Sequence, residues 1–128
     1  KFYFLTLYMG LFDNIKDNFN KAEFTISPQK KLKTISADFR NAFDLDLAFY
    51  KGVTLADPEL TLNQLNKKTT KEVNYSADAL KIKASTKVGD AEKLFDKNFG
   101  VTVQIKAKGK DLCVPNNITI GQAARGEY

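Results

Sequence analysis

The residue types that carry most enzyme chemistry are scarce in this chain. It contains no His and a single Cys, Cys113. A Ser-His-Asp triad, an imidazole acid–base pair and the usual zinc sites all require those residue types. The glycines are scattered and form no phosphate-binding loop. The sequence therefore predicts a protein that is not an enzyme and that needs no metal or organic cofactor.

Two pairs of carboxylates remain as candidates for oxygen-ligand chemistry. Asp44 and Asp46 lie two positions apart at the start of a predicted strand, a spacing that can aim both side chains at one sheet face. Such a pair can contribute ligands to a divalent cation. The sequence favours the plainer interpretation, solvated carboxylates at a strand edge. Asp57 and Glu59 flank Pro58, which is typical of a turn.

The single cysteine bears on both packing and cellular location. Cys113 has apolar neighbours in "DLCVP", which predicts a buried structural thiol. Because one Cys cannot form a disulfide within the chain, this content fits a reducing compartment, and we expect a cytoplasmic protein.

The net charge of +5 raises the possibility of nucleic-acid binding. Eighteen of the twenty basic residues are Lys, however, whereas Arg is the side chain that reads guanine and clamps phosphate with two hydrogen bonds. The outward positions of the predicted strands offer Lys81, Lys83 and Lys106 for phosphate contacts and Tyr50 for base stacking. A weak, lysine-mediated interaction with nucleic acid is therefore the second hypothesis for function.

The N-terminus contains an apolar run that is too short to span a membrane. Its candidate interaction residues are Phe2, Phe4, Leu5, Leu11 and Phe12. The spacing of Leu11, Phe12, Ile15 and Phe19 predicts a short amphipathic helix. Met9 is the only Met, and we expect translation to start there. Exposed apolar surface of this size predicts a protein partner or self-association through the N-terminal segment, without stable membrane insertion.

The remaining elements repeat. Each half reads as a strand, a helix with an apolar stripe, an alternating strand, a turn and a short closing segment. The offset is 56 residues between Leu32 and Val88 and between Phe39 and Phe95. It grows by one at the turn, where Leu55 matches Leu112 and Pro58 matches Pro115, and by one more before Thr61 and Thr119. The pattern predicts an internal duplication with insertions confined to turns.

These units define the expected fold and domain organisation. Residues 1 to 21 form the apolar segment and helix, and residues 22 to 128 form one duplicated domain. Within it, repeat 1 covers 24 to 65, a hydrophilic linker covers 66 to 79, and repeat 2 covers 80 to 124. Two tandem β-α-β units predict an α+β fold of the ferredoxin-like two-layer type.

Two resemblances accompany this pattern. The stretch "LAFYKGVTLADPELTLNQL" resembles ubiquitin-like folds over about twenty residues, which implies tandem β-grasp-like halves as an alternative. Residues 30 to 124 resemble a group of small bacterial proteins with paired units, in which "FG" precedes a strand and "AD" or "LC" precedes "TL". This chain has Asp44 where the first copy of that group has Gly. The likeness implies a bacterial or phage origin and supports the duplication, and it carries over no catalytic residue to this chain.

Taken as a whole, the sequence predicts a protein–protein interaction module, an adaptor or a small inhibitor. It would recognise its partner through a sheet edge or through the apolar N-terminal segment.

Overall fold

The computed structural model describes residues 23 to 66 and 81 to 128. These residues form an α+β fold, as the sequence predicts, with two small antiparallel sheets and four helices. In chain order the elements are β1 (Glu23–Thr25), α1 (Leu32–Phe43), β2 (Leu45–Lys51), β3 (Thr54–Leu55), α2 (Leu62–Asn66), β4 (Lys81–Lys83), α3 (Val88–Phe99), β5 (Thr102–Ala107) and α4 (Ile120–Arg125). The predicted segment and helix of residues 1 to 21 lie outside the described residues.

The two long helices follow from apolar residues at helical spacing. Each buries the stripe that the sequence predicts: Leu32, Ile35, Phe39 and Phe43 in α1, and Val88, Ala91, Phe95 and Phe99 in α3. Neither helix has a side-chain cap at its N-terminus. The first amides donate instead to carbonyls of the segment that precedes the next helix, Leu32 to Leu60 at 2.7 Å and Val88 to Ile118 at 2.8 Å. Each helix start is therefore closed by a distant piece of the chain.

The strands show the expected alternation of buried and outward residues. In β2, Leu45, Leu47 and Phe49 face the core. In β5, Val103 and Ile105 do the same. Because alternate side chains point to opposite faces of a strand, the even-numbered residues of both strands form the outer face of the sheet.

The strands are divided between two sheets. One pairs β1 with β4, and the other has the order β3-β2-β5. All three strand pairings are antiparallel. The β1–β4 and β2–β5 pairings each contain one pair of residues 56 positions apart, Thr25 with Lys81 and Ala48 with Gln104. A ferredoxin-like sandwich has one four-stranded sheet, so the described strands do not confirm that expectation, nor do they confirm β-grasp-like halves.

Hydrogen bonds recur in the two halves at matched positions. Besides the bonds at the helix starts, three backbone hydrogen bonds of the first half each have a counterpart in the second half. Written from amide to carbonyl, the matched bonds are Lys33 to Pro58 with Gly89 to Asn116, Leu62 to Lys30 with Ile120 to Thr86, and Asn63 to Pro28 with Gly121 to Ala84. Thr61 and Thr119 also begin their helices alike, each with a side chain that accepts from the amide three residues later. Residues before the hairpin match at an offset of 56, and residues after it match at 58.

The hairpin turns correct one detail of the predicted alignment. Tyr50 pairs with Leu55, and Lys106 pairs with Cys113. Leu55 therefore corresponds to Cys113, and by the bonds above Pro58 corresponds to Asn116, so the matches with Leu112 and Pro115 were wrong. The hairpin turn between Lys106 and Cys113 is two residues longer than the turn between Tyr50 and Leu55. A longer turn leaves the register of the flanking strands unchanged, so a hairpin can accept such an insertion.

The buried apolar side chains form one core cluster that draws on both halves. Phe39 and Phe95 are both 0% exposed, which confirms the prediction that each is a core residue of its helix. Each ring contacts the last Phe of its own helix, Phe39 with Phe43 at 5.2 Å and Phe95 with Phe99 at 6.1 Å between ring centroids. The second neighbour differs: Phe24 lies 5.2 Å from Phe39, and Phe49 lies 5.6 Å from Phe95.

One boundary of the predicted linker was also wrong. Asn66 is the last residue of α2 and is buried, and its side-chain amide donates to the carbonyl of Phe99. Short-range polarity suggested a linker, but this hydrogen bond to α3 places Asn66 inside the folded domain. The rest of the predicted linker, residues 67 to 79, lies outside the described residues.

The residue after each long helix adopts a left-handed conformation. Asp44 has φ 56° and Gly100 has φ 67°. Gly adopts this region without steric cost, whereas a residue with a Cβ does not. Asp44 therefore occupies a position that favours Gly, and it gains an exposed ion pair with Lys108 at 2.7 Å.

We expect Asp44→Gly to raise the free energy of unfolding by about 0.5 to 1 kcal/mol, because relief of the backbone outweighs an exposed ion pair. Gly100→Asp is the matched control and should lower stability by a similar amount. Urea denaturation of the three proteins measures both shifts. A loss of stability in Asp44→Gly would show that the pair with Lys108 dominates.

Candidate functional site

The structure divides the candidate interaction residues among separate surfaces. Tyr50 and Lys106 meet on the outer face of the three-stranded sheet. Lys81 and Lys83 lie on the two-stranded sheet. The N-terminal candidates Phe2, Phe4, Leu5, Leu11 and Phe12 lie outside the described residues. Among the positions that are described, the basic residues and the aromatic residue do not form one continuous platform.

Tyr50 and Lys106 are coupled to each other and to a carboxylate. The Lys106 ammonium lies 5.6 Å from the centroid of the Tyr50 ring, close enough for a cation–π contact. It also lies 2.5 Å from an Asp111 carboxylate oxygen. Asp111, followed by Tyr50, raises the pKa of Lys106. The side chain of Lys106 is only 13% exposed, so this cation is largely satisfied within the protein.

The two lysines of β4 share one partner. Glu23 on the neighbouring strand lies 3.9 Å from the Lys81 ammonium and 3.6 Å from that of Lys83. Both side chains point outward, as the sequence predicts, while Ile82 between them is buried. Exposed pairs of this kind contribute little stability, but they lower the local positive charge that would attract phosphates.

The carboxylates of Asp44 and Asp46 each bind a cation or amide of the protein. Asp44 pairs with Lys108. Asp46 lies 2.6 Å from a guanidinium nitrogen of Arg40 and accepts the amide of Gly109 at 2.8 Å. Within residues 23 to 66 and 81 to 128, no group of three or more potential metal-binding side chains is close enough to hold an ion. The pair therefore caps and cross-links the helix, strand and turn around it.

Cys113 is exposed, so the prediction of a buried thiol was wrong. Its neighbour Val114 is buried, and adjacent residues of an extended segment point to opposite faces. The Cys113 thiol lies on the outer face, where it donates to the side-chain oxygen of Gln104 at 3.3 Å. The apolar letters around it indicated burial of the segment but not the face on which each residue would lie.

Sequence reasoning missed a surface groove between α3 and the first half of β5. The groove has a volume of about 460 Å³. It is lined by Gly89, Asp90, Glu92, Lys93, Asp96, Val101, Thr102, Val103, Asn116 and Asn117. Its acidic side chains, Asp90, Glu92 and Asp96, come from the part of α3 that lines the groove, with Lys93 among them. A helical-wheel view of "VGDAEKLFDKNF" shows those charges, but only the fold places a strand edge opposite them.

Glu92 is the half-buried member of this groove. Its carboxylate accepts the backbone amide of Ile105 at 3.0 Å. Burial raises the pKa of Glu92, although the hydrogen bond from Ile105 acts in the opposite direction. Since the folded-state pKa exceeds the ordinary value, ionisation of Glu92 favours the unfolded state, and this destabilisation grows as pH rises above about 4.5.

We therefore expect Glu92→Gln to be more stable than the unmodified chain near neutral pH, because Gln keeps an oxygen for the Ile105 amide without a buried charge. The advantage should vanish near about pH 4, where the carboxyl is protonated. Glu59→Gln provides the opposite control, since Lys33 and then Lys31 lower the pKa of Glu59. Thermal unfolding across this pH range compares the variants, and a pH-independent gain in Glu92→Gln would contradict the assignment.

The described residues contain no helix that is long and apolar enough to cross a membrane.

Comparison with known proteins gives no match: no protein-family model, curated protein or solved structure matches this chain. The functional argument therefore rests on the geometry of the chain itself.

Proposed function

We propose that this protein is a non-enzymatic protein–protein interaction module, an adaptor or a small inhibitor of bacterial or phage origin that acts in the cytoplasm. The observation that carries the proposal is the edge position of β5 in the order β3-β2-β5. The outer side of this strand is bridged by another described segment only at Lys106, opposite Cys113. An open strand edge offers backbone donors and acceptors to a partner, which is a common way for domains to bind extended chains.

The domain is proposed to be an internal duplication with a pseudo-twofold axis. The matched hydrogen bonds of the two halves support this interpretation, as does the single pair of residues 56 positions apart in each of the β1–β4 and β2–β5 ladders. One strand-helix-strand unit exposes an apolar sheet face and an apolar helix stripe, and it is too small to cover both. Two units in one chain cover each other, and the strands at the ends of the larger sheet are left as edges.

A second interaction surface is proposed at the N-terminus. Phe2, Phe4, Leu5, Leu11 and Phe12 supply apolar surface that a second copy of the chain or another protein would cover. This hypothesis rests on the sequence alone.

Weak nucleic-acid binding is the alternative function, and the site geometry favours it less. Lys81 and Lys83 pair with Glu23, and Lys106 pairs with Asp111. Tyr50 is the one aromatic residue proposed for base stacking, and the Lys106 ammonium already lies against the face of its ring. Phosphate contacts by these lysines would have to displace carboxylates that belong to the protein.

Two binding measurements on the full chain separate these functions. An interaction module should retain a defined protein from nuclease-treated bacterial lysate and bind it, once purified, with fixed stoichiometry in calorimetry. Single-stranded oligonucleotides should show no specific binding by fluorescence anisotropy at low and high salt. If affinity for oligonucleotides instead falls with salt at a log–log slope of about −2, as three phosphate contacts predict, the alternative function is correct.

A further inference from the structure

The first half of β5 presents backbone groups that no described strand covers. Near the end of the strand, the amide of Ala107 donates to Leu112 at 2.9 Å and the carbonyl of Ile105 accepts from Val114 at 3.1 Å. These bonds show that the backbone groups of odd-numbered residues point away from β2. By the alternation of an antiparallel ladder, those of Val103 point the same way. Only the second half of β5 is bridged within the described residues, so Val103 lies on an edge that no described strand pairs with.

This open edge lies in the groove of about 460 Å³ between β5 and α3. The helix forms one wall, and the strand edge from Val101 to Val103 forms the other. Asn116 and Asn117 lie at the rim. The side chains of Val101 and Val103 are buried, so the strand is held rigidly from the core side. An extended segment placed here would contact backbone groups on one side and helix side chains on the other.

The corresponding groove of the first half carries two internal closures. It lies between α1 and β2 and is lined by Ser36, Ala37, Arg40, Asp46 and Leu47. The Ser36 hydroxyl donates to the carbonyl of Leu47 at 2.7 Å, so this backbone acceptor is already used. The Arg40 guanidinium reaches from the helix to Asp46 on the strand, at 2.6 Å. Together they form a strap across the strand edge.

The second half lacks both closures. The positions 56 residues after Arg40 and Asp46 hold Asp96 and Thr102, which cannot form an ion pair. The position 56 residues after Ser36 holds Glu92, whose carboxylate accepts a hydrogen bond from the Ile105 amide and donates none to the strand. The first groove has a volume of about 360 Å³ and carries the strap, whereas the second is crossed by the Glu92–Ile105 hydrogen bond and has no ion pair at the matching positions.

The charge of the open groove indicates what kind of segment would fit. Asp90, Glu92 and Asp96 face a single cation, Lys93, although the chain as a whole has a net charge of +5. A negative groove attracts a basic ligand, whereas a symmetric contact with a second copy of this chain would bring two negative grooves together. We propose that a basic, extended segment of another protein adds as a strand to β5 at Val103, in the groove between β5 and α3. This inference rests on the proposed function and names the partner chemistry.

The test introduces a copy of the Arg40–Asp46 ion pair into the second groove. Asp96→Arg combined with Thr102→Asp should copy the Arg40–Asp46 pair into the second groove. The probe is a labelled synthetic peptide of alternating Val and Lys, and its acidic counterpart has Glu in place of Lys. Fluorescence anisotropy with the full chain should show binding of the basic peptide only, and the double variant should bind at least about tenfold more weakly. Asp111→Asn, with the same net-charge change at the far end of β5, should keep the affinity.

Several outcomes would overturn the site. Equal affinity of the double variant and the unmodified chain would show that the peptide binds elsewhere, and preference for the acidic peptide would refute the partner chemistry. No binding of either peptide to the unmodified chain would also refute it. If sedimentation shows that the double variant alone loses a dimer, the occupant is a second copy. A purified protein partner that binds the double variant normally would preserve the proposed function and remove this site.

Discussion

Phe39→Ala and Phe95→Ala should each lower the free energy of unfolding by about 3 to 5 kcal/mol, the range observed for deletion of a large buried aromatic ring. Both rings are fully buried, so each substitution removes apolar contact and leaves a cavity in a packed core. Phe39 also loses two aromatic contacts at 5.2 Å, with Phe24 and Phe43. A domain of this size has only about 5 to 15 kcal/mol in total, so either change removes a large share.

Chemical denaturation measures these losses, and milder variants keep the comparison interpretable if an Ala variant does not fold. Phe39→Leu and Phe95→Leu should cost less than their Ala counterparts because most of the volume is retained. Lys97→Ala, at an exposed position of α3, should change stability by no more than about 0.5 kcal/mol. If Phe95→Ala behaved like Lys97→Ala, the ring would not be part of the shared core and the matching of the two helices would be wrong.

Asn66→Ala should lower the free energy of unfolding by about 1 to 3 kcal/mol, because it removes a buried hydrogen-bond donor. The Asn66 side chain donates to the carbonyl of Phe99, the last residue of α3, so it helps to satisfy the C-terminal end of that helix. Asn66 belongs to the first half of the chain and α3 to the second. The bond therefore stabilises the contact between halves rather than either half alone.

The matched control for this substitution is Asn41→Ala, on the exposed side of α1. It makes the same chemical change where Ala is the better helix former, so stability should stay constant or rise slightly. Urea denaturation of the two variants should separate them by more than 1 kcal/mol on this basis. A loss in Asn66→Ala no greater than in the control would mean that water replaces the amide at the Phe99 carbonyl.

Local pattern alone determined the two long helices and the strands β2 and β5, whereas the short helices α2 and α4 were predicted only as closing segments. The stripe Leu32, Ile35, Phe39 and Phe43 predicted α1, and strict alternation predicted which residues of β2 and β5 face the core. These features depend on the helical and strand periods, which act over a few residues and are written directly in the sequence. The absence of His and the single Cys likewise restricted the possible chemistry without any knowledge of the fold.

The pairing of strands and the position of the site were decided by tertiary structure. A strand at the edge of a sheet and a strand in its centre can show the same alternation of apolar and polar residues. The patterns of "LDLAFY" and "TVQIKA" therefore do not predict that β5 lies at an edge. Asn66 reads as part of a polar linker until its partner 33 positions later is known. The apolar neighbours of Cys113 predict a buried thiol, but its pairing with Lys106 places the side chain on the outer face of the sheet.

The sequence by itself thus determined the class of the fold, the core helices and the absence of His-dependent chemistry, because those follow from composition and short-range periodicity. Only the tertiary structure decided that one groove is strapped by Arg40 and Asp46 while its counterpart beside Val103 stays open. That difference arises from contacts between residues that are adjacent in space and lie on different elements. Side-chain pairing across a helix and a strand edge depends on how those elements pack, which no local pattern specifies.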